Sequence, residues 1–323
     1  MNYIYDPMEE QITELHIASL FGLATVVQDL AVYQDVNQQT ARGWTPLAFA
    51  AYGAHDTVIR LLLAKYKANS NLQDKYGTSP LHLAAFYGHK SSAQLLLEVG
   101  EAAPCTRDLD DRTPLYLAVE RGHVEIARLF FDKFDVDSDS KFPRDVLLCT
   151  AVAQGHEKLV ELILLQPNIN PDFSDPNLGY YAERTPLSWA ATRDDGTISG
   201  ASTSRSDGGS GDVDFEAVVD LLLKTGRVDV NAKATANFHD LDFETPYEHE
   251  HEQDQTPLLV ATKSKACLGI VRLLLENGAD VNARSKDDTP LSNAMKYGGG
   301  EELVTLLLEY GAIPLGELME DRE

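Results

Sequence analysis

Three groups of side chains in this 323-residue sequence have the types that chemistry needs. His249-Glu250-His251-Glu252, with His239 and Asp254 nearby, combines imidazoles and carboxylates, the donors that zinc and similar ions take. The H-E-x-x-H spacing, which sets two imidazoles on one helix face, is absent there. His249 and His251 remain the metal candidates, and a solvated acidic loop is the preferred reading. His55, His89, His123 and His156 recur one repeat apart, so they occupy equivalent places and read as hydrogen-bonding links between neighbouring turns. Cys105, Cys149 and Cys267 are too widely spaced for a disulfide framework or a zinc pattern, and free thiols fit a reducing compartment. There is no G-x-S-x-G elbow, P-loop or G-x-G-x-x-G. Gly208-Gly209-Ser210-Gly211 lacks the lysine and flanking strand of a phosphate loop. No catalytic residue and no cofactor is assigned, and the chain reads as a non-enzyme.

The elements that position these residues come from one recurring phrase: Thr-Pro-Leu, small apolar residues, then Gly-His or a remnant of it. It starts at Thr13, Thr45, Ser79, Thr113, Val146, Thr185, Thr256 and Thr289, at intervals of 32, 34, 34, 33, 39, 71 and 33 residues. A near-constant period with two long intervals means one repeated unit plus insertions. Thr is a good N-cap and Pro fits the first helical turn, where its missing N–H is harmless, so each Thr-Pro predicts a helix start. The alanine pair, such as Ala84-Ala85, keeps that helix thin enough to stack, and Gly88 or Gly122 ends it. A leucine run, such as Leu95-Leu96-Leu97, predicts a second, antiparallel helix. One such pair cannot bury its apolar face alone, but stacked neighbours build a continuous core.

The phrases TPLAFAAYGAH, SPLHLAAFYGH and TPLYLAVERGH, with closing stretches such as GADVNAR at 278–284, resemble the ankyrin-repeat family. Eight matches in phase cover roughly residues 13 to 312. The resemblance implies an all-α ankyrin-repeat solenoid, residues 1–323 as a single domain, with helix-turn-helix units and projecting turns. The fifth unit departs from the pattern: Val146-Leu147 replaces Thr-Pro, and Asp145 is the expected cap. Extra chain at 166–182 reads as an elongated turn. Two insertions follow: 194–212, Gly/Ser-rich and read as flexible, and 233–253, acidic and aromatic, on the projecting-turn side.

The resemblance further implies protein binding through a concave groove, built from the turns and from two variable positions after each alanine pair. Carried over position by position, this marks Phe21, Tyr52, Phe86, Tyr87, Arg121, Arg193, Lys263, Lys296 and Tyr297, with Trp44, Tyr76, Arg112 and Arg184 in the turns. Aromatics fall in the N-terminal half and cations follow, a groove for an extended segment with hydrophobic and acidic parts. The expected function is a non-catalytic scaffold or adaptor. Two alternatives are an enzyme or small-molecule or metal binder using the aromatic groove and the His-rich insertion, and a recruiting subunit of a larger assembly.

Composition bounds the partners. Lys plus Arg is 27 against 51 Asp plus Glu, a net charge of −24, so nucleic acid and anionic membrane are disfavoured. The hydrophobic share, 43%, suffices for a core. The opening MNYIYDPMEEQ reads as neither signal nor transit peptide, and no apolar run spans a bilayer. The expected partner is a protein, and the expected state a monomer, intracellular, in cytoplasm or nucleus.

Overall fold

Helix starts fall where the caps are. The computed structural model describes residues 11–134, 144–174, 184–192, 215–236, 252–263, 268–286 and 288–314, and every Thr-Pro or Ser-Pro among these described residues opens a helix. The hydroxyl oxygens of Thr45, Ser79, Thr113, Thr185, Thr256 and Thr289 accept the backbone N–H three residues on, at 3.1–3.4 Å. Replacing such a cap by Ala removes about 1 kcal/mol. Ser79 adds a reciprocal bond: its N–H donates to His82 Nδ1, and His82 Nε2–H donates to the Arg112 carbonyl at 3.1 Å.

The described residues divide into two units, 1–143 and 144–323. The first holds α1 (Glu14–Leu20), α2 (Ala24–Leu30), α3 (Pro46–Tyr52), α4 (Asp56–Arg60), α5 (Pro80–Phe86), α6 (Lys90–Glu98), α7 (Pro114–Glu120) and α8 (Val124–Lys133). Beyond α4 the chain winds on as a π-helical turn, Leu61–Lys65. First helices pack in the row α1–α3–α5–α7, and second helices in the row α2–α4–α6–α8 behind them. Ala50, Ala51, Ala84 and Ala85 are fully buried between rows, as their size predicts. Of each leucine run two members are buried, Leu62 and Leu63, then Leu95 and Leu96. Burying one such side chain contributes about 1.5–3 kcal/mol.

The second unit repeats this plan. It has α9 (Arg144–Ala153), α10 (Glu157–Leu164), α11 (Pro186–Ala191), α12 (Phe215–Lys224), α13 (Pro257–Lys263), α14 (Leu268–Glu276), α15 (Pro290–Lys296) and α16 (Gly300–Glu309). Its first-helix row is α9–α11–α13–α15 and its second-helix row α10–α12–α14–α16. Asp145 was expected to cap α9 from outside, and it does not. It lies within the first turn, and its Oδ1 accepts the Asn170 N–H at 2.7 Å. Two short strands, β1 (Ala234–Ala236) and β2 (Glu252–Gln255), pair antiparallel and bracket the second insertion. The first insertion, 194–212, lies outside the described residues, as do 237–251.

Between repeats, histidines and asparagines make the links. His55, His89 and His123 each donate Nε2–H to a carbonyl of the preceding first helix, Leu20, Tyr52 and Phe86, at 2.7–3.0 Å. Asn37 Oδ1 accepts the Asn69 N–H, and Asn71 Oδ1 accepts the Ala103 N–H, each at 2.8 Å. Projecting turns also touch. Lys75 N–H donates to the Arg42 carbonyl and Leu109 N–H to that of Tyr76. These approaches need glycine: a Cβ on Gly77, at φ +77°, would sit 2.8 Å from the Asp108 Cα.

Candidate aromatic docking site

Within the first unit, the ends of neighbouring first helices fall side by side. Tyr52, Phe86 and Glu120 hold one position, and Gly53, Tyr87 and Arg121 the next. The rings at these ends join. Trp44 meets Phe49 at 5.0 Å between centroids and Tyr52 at 5.7 Å. Tyr52 meets Tyr87 edge to face at 4.9 Å, and Tyr87 meets Phe86 at 4.9 Å. The Arg121 guanidinium lies over the Phe86 ring, 4.0 Å from its centroid. Edge-to-face pairs contribute about 0.5–1.5 kcal/mol beyond area burial, so the strip is held in place rather than loosely collected.

Polar contacts fix the strip further. The Trp44 indole N–H donates to Asp74 Oδ2 at 3.1 Å. Tyr87 stacks on the His89 ring, and His89 in turn holds the Tyr52 carbonyl. Tyr52 and Tyr87 each keep 40% exposure, so the strip offers apolar rings and two phenols to solvent. Burial first, then the neighbouring Tyr52, raises the Tyr87 phenol above its ordinary pKa, so it stays a neutral hydrogen-bonding group.

The remaining marked residues are placed differently. Tyr76 stands at a turn tip with 65% exposure, and Phe21 at the end of α1 is equally open. Arg112 is engaged within its own turn: its Nε–H donates to Asp108 at 2.9 Å, and its Nη2 lies 2.9 Å from both Asp108 and Asp110. Burial opposes its charge, but the Asp108 bond and the surrounding carboxylates raise its pKa on balance. In the second unit, Arg184 is buried over the Trp189 ring and donates to Thr192 Oγ1. Lys263 is paired with Asp288 at 2.9 Å. Lys296 lies over the Tyr297 ring, both exposed. Arg193, His249 and His251 lie outside the described residues.

The titratable groups inside the repeats are held in structural roles. Burial lowers the pKa of His16 and His82, and each uses both ring nitrogens in local hydrogen bonds. Burial pushes the Cys149 thiol up to about 12, which removes thiolate character. Among the described residues, no three His, Cys, Asp or Glu side chains are grouped to hold a metal ion. No helix among them is long and apolar enough to cross a membrane.

Sequence reasoning missed Phe49, Asp74 and His89 as members of the strip. Phe49 carries a signal, an aromatic three residues before Tyr52 on one helix face. Asp74 and His89 belong to other repeats, and their contacts appear only once the turns stack.

A family model described as ankyrin repeats matches the chain in three copies, over residues 15–108, 100–175 and 214–315. Among curated proteins, the human ankyrin repeat and SAM domain-containing protein 3 is 40% identical over 52 residues. That stretch is 16% of this chain and 8% of the human protein.

Proposed function

The chain belongs to the ankyrin-repeat family, whose repeats mediate protein–protein interaction, and on that premise we propose that it is a non-catalytic scaffold or adaptor whose aromatic strip holds an extended protein segment. The observation that carries this reading is the continuous edge-to-face series Trp44, Tyr52, Tyr87 and Phe86, ending under Arg121, with both tyrosines open to solvent. Buried aromatics and arginines dominate interface energetics, and a pre-ordered strip loses little side-chain entropy when covered. The segment combines hydrophobic and acidic residues. Its hydrophobic part faces the rings, and Arg121, over Phe86 at the end of the strip, faces the acidic part. Arg112, Arg184 and Lys263 are engaged internally and support the scaffold. The active species is a monomer of one repeat domain in cytoplasm or nucleus.

Affinity capture from native extract, read by mass spectrometry, tests the reading. Wild type is run beside a Tyr52→Ala/Tyr87→Ala variant and a Tyr33→Ala control, Tyr33 being 88% exposed away from the strip. A protein retained by wild type and control and lost by the double variant is the expected result. Equal capture by all three contradicts it.

A further inference from the structure

Arg121 differs from the other cations of its unit that the repeat pattern marks. Arg112 has two carboxylates, but the Arg121 side chain makes no hydrogen bond or ion pair among the described residues. Its Nε is buried without a partner, and Phe86 covers the guanidinium at 4.0 Å. A desolvated N–H with no acceptor is unfavourable, and the terminal Nη groups of the same guanidinium, which are not buried in this way, are the donors an arriving acceptor meets. With one face on a ring, the planar guanidinium still presents its fork of N–H donors, which matches a carboxylate in two-point contact. The adjacent acid, Glu120, does not supply that contact. Its carboxyl is half-buried and lifted by burial, with Arg121 and Arg112 drawing it back down.

We propose that Arg121 receives a side-chain carboxylate of the bound segment, with a neighbouring apolar residue of that segment seated on the Tyr52–Tyr87 pair. This rests on the aromatic-strip reading above and adds the chemistry of the partner. The charge around the strip permits it. Residues 11–134 carry 11 Lys and Arg against 13 Asp and Glu, so the chain's large negative charge is not concentrated here. An acidic segment therefore meets little general repulsion, and one carboxylate at Arg121 sets its register.

Short random peptides displayed on phage and selected on the full chain test this. Enriched peptides are expected to share an Asp or Glu a few residues from an aromatic or aliphatic residue. One enriched peptide is then synthesised with its acid and with the matching amide. On wild type the amide version binds about tenfold more weakly, the size of one charge-assisted hydrogen bond. On Arg121→Gln, shown to be folded by circular dichroism and thermal unfolding, acid and amide versions bind alike. Enriched peptides without acids, or an equal acid-to-amide loss on both proteins, overturn the role of Arg121 while leaving the strip intact. Peptide binding that survives Tyr52→Ala/Tyr87→Ala overturns the strip reading and this one with it.

Discussion

Asp172 holds a position where other repeats use asparagine. Asn231 Oδ1 accepts the Asp280 N–H at 2.8 Å while its Nδ2 donates to the Gly278 carbonyl at 3.1 Å. Asn282 does the same with Ile313 and Gly311. Asp172 Oδ2 accepts the Asp229 N–H at 2.7 Å, but its Oδ1 is buried without a partner. In the same register an amide there would reach the Arg227 carbonyl. Burial raises the Asp172 pKa, the Asp229 N–H opposes this, and the Asp229 charge adds to it; Arg227, the cation alongside, donates to the Ile169 carbonyl. A carboxyl raised on folding contributes stability below its ordinary value, and that stability is lost as pH rises through the raised value. Asp172→Asn is thus expected to stabilise the protein by about 1 kcal/mol at neutral pH, with the gain shrinking on acidification, read by urea unfolding. His16 and His82 behave oppositely. Their lowered pKa values contribute stability above the ordinary 6.5, lost as pH falls through the folded values. Unfolding free energy should fall as pH drops below the ordinary 6.5, and His82→Gln should flatten that slope. A slope unchanged by the substitution would show that the ring is not the titrating group.

At the scale of elements, the turns decide how closely repeats approach. Gly77→Ala places a Cβ 2.8 Å from the Asp108 Cα at a left-handed φ. It is expected to destabilise by about 1–3 kcal/mol, more than an exposed turn change, measured by thermal unfolding. The first helices were legible in the sequence because cap, Pro and alanine pair sit within one short phrase, as at Thr45-Pro46 and Ala50-Ala51. The π-helical turn at Leu61–Lys65 was not, because LLLAK carries no breaker that distinguishes it from α-helix. Nor was the placement of Asp145, since a missing Thr-Pro leaves the start of α9 open by a residue or two. In the candidate site, Tyr52, Phe86 and Tyr87 were legible from their positions after the alanine pair. The fate of the cations was not. Lys263 pairs with Asp288, 25 residues away, and Arg112 with acids of its own turn, contacts that repeat spacing does not encode.

Across the whole molecule, charge is unevenly spread. Residues 1–143 hold 12 Lys and Arg against 19 Asp and Glu, a net −7, and residues 144–323 hold 15 against 32, a net −17. An acidic segment is repelled less by the first unit than by the second, and salt, which screens that repulsion, should not slow its association as it slows that of a cationic segment on the same chain. Stability in stacked repeats is a sum of unit and neighbour-interface contributions, so the strip depends on its own neighbours, α3, α5 and α7, more than on distant units. The direct test of the central claim is site-specific photocrosslinking. A benzophenone amino acid is placed at position 87 or, as control, at position 33, and crosslinked protein is identified after irradiation in extract. One protein is expected to be joined at position 87 and absent at 33, through a segment that carries an acid beside an apolar residue. The same products at both positions, or none at 87 from a folded protein, would contradict it.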